Sequence, residues 1–256
     1  MKVSVITVCY NANDCIENAI KSVLSQTYKN IEYIIVDGKS TDGTLNIIDN
    51  YRDRISKVIS EKDKGIYDAM NKGIQIAIGD VIYFLNSDDR LYDKDVIFDV
   101  VNEFNNNPHV GLIYGKVRPV DVPQELAPYV KEYKIIEKNV RFLKEGLCHQ
   151  SIFTKKWVFD KAGYFDIRYK VYADFDWLLS VYNYPVKLKF IDRYVVTYYY
   201  QGYSYQNLNR ASRERIAIIY KYFSLPIFLF YVLRYVLIRN LNFKRKRLFR
   251  YIKVLF

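Results

Sequence analysis

Short apolar runs alternate with amphipathic segments along the first half of the chain. Three of the runs are Val3 to Tyr10, Ile31 to Val36 and Asp80 to Leu85. Between the first two, apolar residues recur at helical spacing, at Ile16, Ala19, Ile20, Val23 and Leu24. Strands that alternate with helices in this way predict an α/β fold, with a mostly parallel, Rossmann-like sheet flanked by helices on both faces.

Composition excludes several other classes of protein. The chain has 256 residues, of which 50% are hydrophobic and 17% aromatic, whereas disordered segments lack the apolar side chains that a core needs. Its three cysteines, Cys9, Cys15 and Cys148, are too few and too scattered for a disulfide framework. We therefore expect reduced thiols in a cytoplasmic protein.

Acidic residues follow two of the predicted strands. Asp37 ends the second apolar run, and Asp88 and Asp89 come directly after Asn86 and Ser87 at the end of a later one. Ligands of parallel α/β sheets bind at the carboxyl ends of the strands. Adjacent carboxylates at that edge suit Mg²⁺ or Mn²⁺, although on a surface turn such a pair is usually only solvated.

The role of Asp37 stays open at this point. Its carboxylate could accept a hydrogen bond from a nucleotide base or ribose, or it could shape the turn with Gly38. The chain has no glycine-rich phosphate loop of the Walker or dinucleotide type. Phosphate groups of a ligand would then be bound by a metal ion and side chains.

Five segments resemble motifs of the family 2 glycosyltransferases, in the order that the family has them. They are Val5–Asn11, Ile20–Tyr28, Glu32–Thr44, Gly65–Gly73 and Asn86–Asp89. A weaker resemblance continues through His149-Gln150 to Asp174-Phe175-Asp176. The last fifty or so residues match no general pattern of the family.

The resemblance implies an A-type glycosyltransferase (GT-A) fold, a nucleotide-sugar donor and a divalent Mn²⁺ or Mg²⁺ ion. A UDP-sugar is favoured, with GDP- and dTDP-sugars as alternatives. Carried over by position, Thr7 and Cys9 would line the nucleotide pocket, and Asp37 would hydrogen-bond the base. Asp63 and Lys72 lie in the region that closes on the nucleotide or the sugar.

The same resemblance implies a catalytic arrangement. Asp88 and Asp89 match the metal and donor motif, with Asp89 as the direct metal ligand and Asp88 as the sugar or ribose contact. Asp174 is the expected catalytic base, and Asp176 is the alternative. His149 and Gln150 would lie near the acceptor or the diphosphate; otherwise His149 is a core histidine. The implied reaction inverts the anomeric carbon in one displacement.

The C-terminal segment 205–256 carries the whole charge imbalance of the chain. It contains twelve Lys and Arg residues and one acid, Glu214. The difference between them equals the formal net charge of the whole chain, +11. Apolar residues alternate with these charges from Arg239 to Lys253, as in a helix that lies in an anionic membrane surface. The alternatives are packing on the domain, dimerisation, nucleic-acid binding and a membrane span, for which the apolar stretch 225–238 is short.

We therefore divide the chain into residues 1–117, which bind the nucleotide sugar, residues 118–204, which hold the acceptor and the base, and the basic amphipathic helical tail 205–256. The predicted function is transfer of a sugar to a hydroxyl of a lipid-linked saccharide in polysaccharide or glycan synthesis, on the cytoplasmic face of a membrane. No nucleic acid is expected as a partner. The alternatives are a nucleotidyltransferase that makes an activated sugar and a non-enzymatic basic membrane-binding module.

Overall fold

A computed structural model describes residues 1–122, 147–200 and 207–233. Its eight strands are β1 Val3–Cys9, β2 Ile31–Asp37, β3 Lys57–Ser60, β4 Val81–Phe84, β5 Arg90–Leu91, β6 Val110–Val120, β7 Ile152–Lys155 and β8 Lys187–Tyr199. Its helices are α1 Ile16–Leu24, α2 Thr44–Asp49, α3 Ile66–Ile76, α4 Val96–Asn106, α5 Lys156–Ala162, α6 Ala173–Val181, α7 Leu208–Tyr222 and α8, residues 225–233. Short 3₁₀ turns cover Arg52–Arg54 and His149–Ser151.

All eight strands belong to one sheet, in the order β3-β2-β1-β4-β7-β6-β8-β5. The first four in this order are parallel to one another, and β6 is parallel to β8. β7 runs antiparallel between β4 and β6, and β5 is antiparallel to β8. The predicted mostly parallel α/β sheet is confirmed.

Helices cover both faces of the sheet because the central strands are apolar on both sides. On β1, Val5 faces a core cluster that contains α1 and α4, whereas Ile6 faces a second cluster that contains α3, α5 and α6. The side chains of Val5 and Ile6 are both fully buried. The two residues face opposite sides because successive side chains of a strand point to opposite faces of the sheet.

The second half of the chain completes the same sheet. The predicted boundary after residue 117 falls inside β6, which continues to Val120, so the two predicted halves share a strand. Residues 123–146 of the predicted acceptor half lie outside the described residues.

The C-terminal appendage is helical where it is described, in α7 and α8. Residues 234–256 of the predicted basic tail lie outside the described residues. Among the helices that the structure describes, none is long and apolar enough to cross a membrane. Glu214 of α7 accepts the backbone N–H groups of Lys170, Val171 and Tyr172, at 2.9, 2.8 and 3.1 Å. Because this loop leads into α6, α7 supports the start of that helix.

Gly73 allows α3 to pack closely on β1, and we expect Gly73→Ala to destabilise the protein. A Cβ atom at this position would lie 2.5 Å from Cγ2 of Ile6, which is fully buried. Overpacking costs about 1–3 kcal/mol, while the better helix propensity of Ala offsets about 1 kcal/mol. We therefore expect the free energy of unfolding, measured in urea, to fall by up to about 2 kcal/mol, with about 1 kcal/mol at the centre of that range.

Gln75→Ala is the matched control, since Gln75 is exposed on the same helix. Its free energy of unfolding should stay within about 0.5 kcal/mol of the parent. An unchanged midpoint for Gly73→Ala would show that α3 can move away from β1 without loss.

Candidate active site

The carboxyl ends of β1, β2 and β4 meet at one edge of the sheet. Cys9 at the end of β1 pairs with Asp37 at the end of β2, and Ile6 of β1 pairs with Phe84, the last residue of β4. The chain leaves β4 directly into Asn86–Asp89. The polar residues that follow the predicted strands therefore lie on the same side of the fold.

Asp89 is buried, and both of its carboxylate oxygens are bound by the protein. Gln150 Nε2 donates to Oδ2 at 3.0 Å, and the backbone N–H of Tyr199 donates to Oδ1 at 3.0 Å. The residue is 1% exposed, whereas Asp88 beside it is partly exposed. Two donors leave lone pairs on the Asp89 carboxylate for a metal ion, but Asp89 is the more deeply buried of the two acids. Asp88 offers the accessible carboxylate.

Burial raises the pKa of the Asp88 carboxyl, and it raises that of Asp89 well above its usual range, where the charge of Asp88 adds to the effect. Two carboxylates in this environment favour a nearby positive charge. Among the described residues, no three His, Cys, Asp or Glu side chains form a ready-made metal site. Mg²⁺ and Mn²⁺ are commonly held by one or two carboxylates together with substrate phosphates, and Asp88 fits that requirement.

His149 lies between the β4 loop and the start of α6. Its Nδ1 is 3.0 Å from Oδ2 of Asp174, and its Nε2 is 3.3 Å from Oδ1 of Asn86. The 3₁₀ turn that carries it is fixed by Tyr83, whose hydroxyl donates to the backbone oxygen of Gln150 at 2.8 Å. The side chain of His149 is 16% exposed, so it is neither a fully buried core histidine nor a free surface group.

Asp174 lies in the first turn of α6 with its carboxylate held on three sides. Oδ1 accepts the backbone N–H of Phe175 at 2.9 Å and lies 2.9 Å from the hydroxyl of Tyr67, while Oδ2 faces His149. The side chain remains 18% exposed. A carboxylate that is fixed in position and still reachable from solvent suits a general base.

Asp176, the alternative base, points away from this site. Lys221 Nζ of α7 lies 2.8 Å from Oδ1 of Asp176 and 3.1 Å from Oδ2, and the residue is 5% exposed. Two positions along a helix differ by about 200°, so Asp174 and Asp176 face opposite ways. Of the two acids, Asp174 faces His149 and Asp176 faces Lys221.

An apolar wall lies behind Asp174. Phe84, Phe159, Phe165 and Trp177 line a small cavity with His149 and Asp174 at its edge. Trp177 stacks on Phe159 with 4.5 Å between the ring centroids. Asp174 therefore has polar neighbours on the side of Tyr67 and His149 and apolar neighbours on the other.

The residues expected at the nucleotide pocket differ in accessibility. Thr7 is fully buried, and its hydroxyl accepts a hydrogen bond from Tyr33 at 3.2 Å, so it supports the sheet and lines no pocket. Cys9 is buried as well, and its thiol donates to Asp37 Oδ1 at 3.6 Å. Burial raises the pKa of the Cys9 thiol, which keeps it a donor.

Asp37 is fully buried and accepts four hydrogen bonds from the protein. Besides Cys9, the donors are the hydroxyl of Ser40, the backbone N–H of Ser40 at 3.0 Å and the hydroxyl of Ser60 at 2.6 Å. Four donors saturate a carboxylate, so in this structure Asp37 shapes the loop that follows β2. This is the turn role that the sequence left open beside the base contact.

Asp63 lies in the loop before α3, and Lys72 lies within α3. A Cβ atom at Gly38 would come within 2.6 Å of Oδ2 of Asp63, so this carboxylate packs against the loop after β2. Lys72 Nζ is 2.7 Å from Glu61 and 3.9 Å from Asp68. Asp63 is therefore at the ligand edge of the sheet, and the charge of Lys72 is shared with two acids.

Tyr67 is a site residue that the sequence analysis did not single out. It belongs to the Gly65–Gly73 segment that resembles the family, but its contact with Asp174 joins residues 107 positions apart. Local spacing gives no signal for such a contact.

The sequence also matches a known protein family. The family model described as "Glycosyl transferase family 2" matches residues 4–161. A PGL/p-HBAD biosynthesis glycosyltransferase of Mycobacterium bovis is 29% identical over 185 residues, which cover 71% of this chain and 70% of that protein.

Two solved structures share the fold. S. aureus TarS 1–349 in complex with UDP-GlcNAc has a TM-score of 0.68 at 21% identity and covers 86% of this chain, which spans 66% of that one. The mannosyltransferase PcManGT of Pyrobaculum calidifontis in complex with GDP-Man and Mn²⁺ has a TM-score of 0.67 at 18% identity, with 89% of this chain and 66% of that one covered. The family match extends over more than half of the sequence and includes the sheet edge that carries Asp88 and Asp89, and the chain belongs to glycosyltransferase family 2.

Proposed function

We propose that the protein is an inverting, metal-dependent glycosyltransferase that uses a nucleotide-sugar donor, with a UDP-sugar favoured. The observation that carries the proposal is the line of contacts from Asn86 in the β4 loop through His149 to Asp174. It joins a carboxylate-rich loop suited to a metal ion and phosphates to a carboxylate suited to a general base. Supporting this, the neighbours named above were solved with UDP-GlcNAc and with GDP-Man and Mn²⁺.

Donor binding is proposed for the edge formed by the ends of β1, β2 and β4. Asp63 and Asp88 are the accessible acids there. Cys9 and Asp37 would fix, from its buried side, the loop after β2 that the nucleotide base approaches. Lys72 would orient this region through Glu61. Asp88 would hold Mn²⁺ or Mg²⁺, and the ion would offset the charge that develops on the departing nucleoside diphosphate.

Asp174 is the proposed base of the transfer step. It takes the proton of an acceptor hydroxyl as the hydroxyl oxygen bonds to the anomeric carbon of the donor sugar. The bond from that carbon to the diphosphate breaks on the opposite face, and the nucleoside diphosphate leaves with the electron pair. Tyr67 and His149 keep the carboxylate oriented, and Gln150 holds the β4 loop through Asp89.

A lipid-linked saccharide is the proposed acceptor, in polysaccharide or glycan synthesis on the cytoplasmic face of a membrane. The support is the charge distribution, since residues 205–256 carry the whole net charge of +11 and leave the rest of the chain neutral. A basic segment of this kind is attracted to anionic lipid. The relative from Mycobacterium bovis is named for the biosynthesis of PGL/p-HBAD.

Nucleotide sugars should stabilise the protein when a divalent ion is present. A ligand at a hundred times its dissociation constant adds about 2.7 kcal/mol to the free energy of unfolding. We expect UDP or a UDP-sugar with Mn²⁺ or Mg²⁺ to raise the melting temperature measured by scanning fluorimetry, and EDTA to abolish the shift. Pyrophosphate release from a sugar phosphate and a nucleoside triphosphate would instead favour the nucleotidyltransferase.

Asp174→Asn should abolish most transfer and leave donor binding intact. An amide cannot take the proton of the acceptor, and loss of a general base costs about 10²–10⁴-fold in kcat. Asp176→Asn is the matched control, because it changes the same atoms on the same helix but removes only the contact with Lys221. Equal losses of kcat in the two variants would contradict the assignment of the base.

Asp88→Asn and Asp89→Asn should separate the metal ligand from the residue that supports it. Asp88→Asn should remove the Mn²⁺ dependence of nucleotide binding in calorimetry. Asp89→Asn should weaken Mn²⁺ about 10–100-fold, as expected for an outer-shell partner, while saturation is still reached at high Mn²⁺. The reverse pattern would restore Asp89 as the direct ligand.

A further inference from the structure

The outer face of α8 is apolar and exposed. The helix has the sequence Leu-Pro-Ile-Phe-Leu-Phe-Tyr-Val-Leu, in which the hydroxyl of Tyr231 is the one polar side-chain group. Phe228 and Tyr231 pack inward against the core cluster of α3, α5 and α6. A surface helix normally has polar side chains on the face that points to water. The outward face of α8 has no polar side chain.

The exposed residues form one continuous surface, which we call the apolar ridge. Its members are Leu225, Leu229, Phe230 and Leu233, and each is between 55% and 61% exposed. Three of them, Leu225, Leu229 and Leu233, follow one another at intervals of four on the same side of the helix. Tyr220 of α7 is also exposed and contacts the inward-facing Phe228 of α8, with 5.0 Å between the ring centroids. Large contiguous apolar patches of this kind mark interaction sites.

We propose that the apolar ridge inserts into the surface of an anionic lipid bilayer. The sequence that follows the ridge, residues 234–256, contains eight Lys and Arg residues and no acid. A bilayer with anionic headgroups offers both an apolar layer for the ridge and negative charge for these side chains. A second copy of the chain would bring another +11 to the contact, which disfavours self-association through this face.

The ridge is connected to the proposed base through α7. Two residues separate the end of α7 from the start of α8. Glu214 of α7 accepts three backbone N–H groups of the loop that precedes Asp174. Lys221 of α7 also pairs with Asp176 of α6. Insertion of the ridge would therefore set the orientation of Asp174 relative to the membrane. This consequence rests on the proposed function, whereas insertion itself does not.

The test is sedimentation of the full chain with phosphatidylcholine vesicles that contain or lack phosphatidylglycerol. The variant Leu229→Gln/Phe230→Gln/Leu233→Gln should bind the anionic vesicles at least about tenfold more weakly than the parent, because three apolar side chains leave the lipid. Phe98→Gln on α4 is the matched control, since Phe98 is also exposed, at 46%, and lies away from the ridge. It should bind as the parent does.

Phe230→Trp gives a second readout with little change in shape. Its fluorescence should shift to the blue with anionic vesicles and be quenched by brominated lipid, beyond the response of Trp157 and Trp177 in the parent. Absence of quenching, equal binding by the triple variant, or a parent dimer that the triple variant dissociates would each overturn the proposal. Nucleotide binding by the triple variant in solution tests the proposed function separately, because the substituted residues belong neither to the β4 loop nor to α6.

Discussion

The buried carboxylate of Asp89 joins three segments that are distant in sequence. The carboxylate belongs to the loop after β4. It accepts one hydrogen bond from the side-chain amide of Gln150, ahead of β7, and one from the backbone N–H of Tyr199, at the end of β8. An unpaired charge at such a position would be costly, so the two donors and the carboxylate hold one another in place. The positions of Asp88 and His149 depend on this junction, because both residues are direct neighbours of its members in sequence.

Much of the fold could be predicted from the sequence. The strands β1, β2 and β4 are apolar on both faces, and the alternating helices leave few other arrangements for a chain of this length. The insertion of β7 between β4 and β6 was beyond prediction, since Ile152–Lys155 is a short run whose partners are set by the whole sheet. The family assignment is confirmed by the match over residues 4–161.

The site was predictable in its members more than in their roles. Sequence resemblance selected Asp88, Asp89, His149 and Asp174, and the structure places them at one edge of the sheet. Which of two adjacent carboxylates is buried depends on the turn that carries them, and the sequence does not say that Asp89 is the more deeply buried one. Thr7 shows the same limit, because alternation along a strand says that a residue faces one side but not what covers that side.

The place of β7 between β4 and β6 has a consequence for how the protein folds during synthesis. Among the described strands, β6 pairs with β7 and β8, and both follow it in the chain. During synthesis β1 to β4 can therefore assemble early, while one edge of β4 and both edges of β6 wait for strands that emerge later from the ribosome. Unpaired edges invite association between nascent chains. The exposure ends when Ile152–Lys155 pairs with both β4 and β6. This four-residue strand therefore sets the moment at which the two halves become one folding unit.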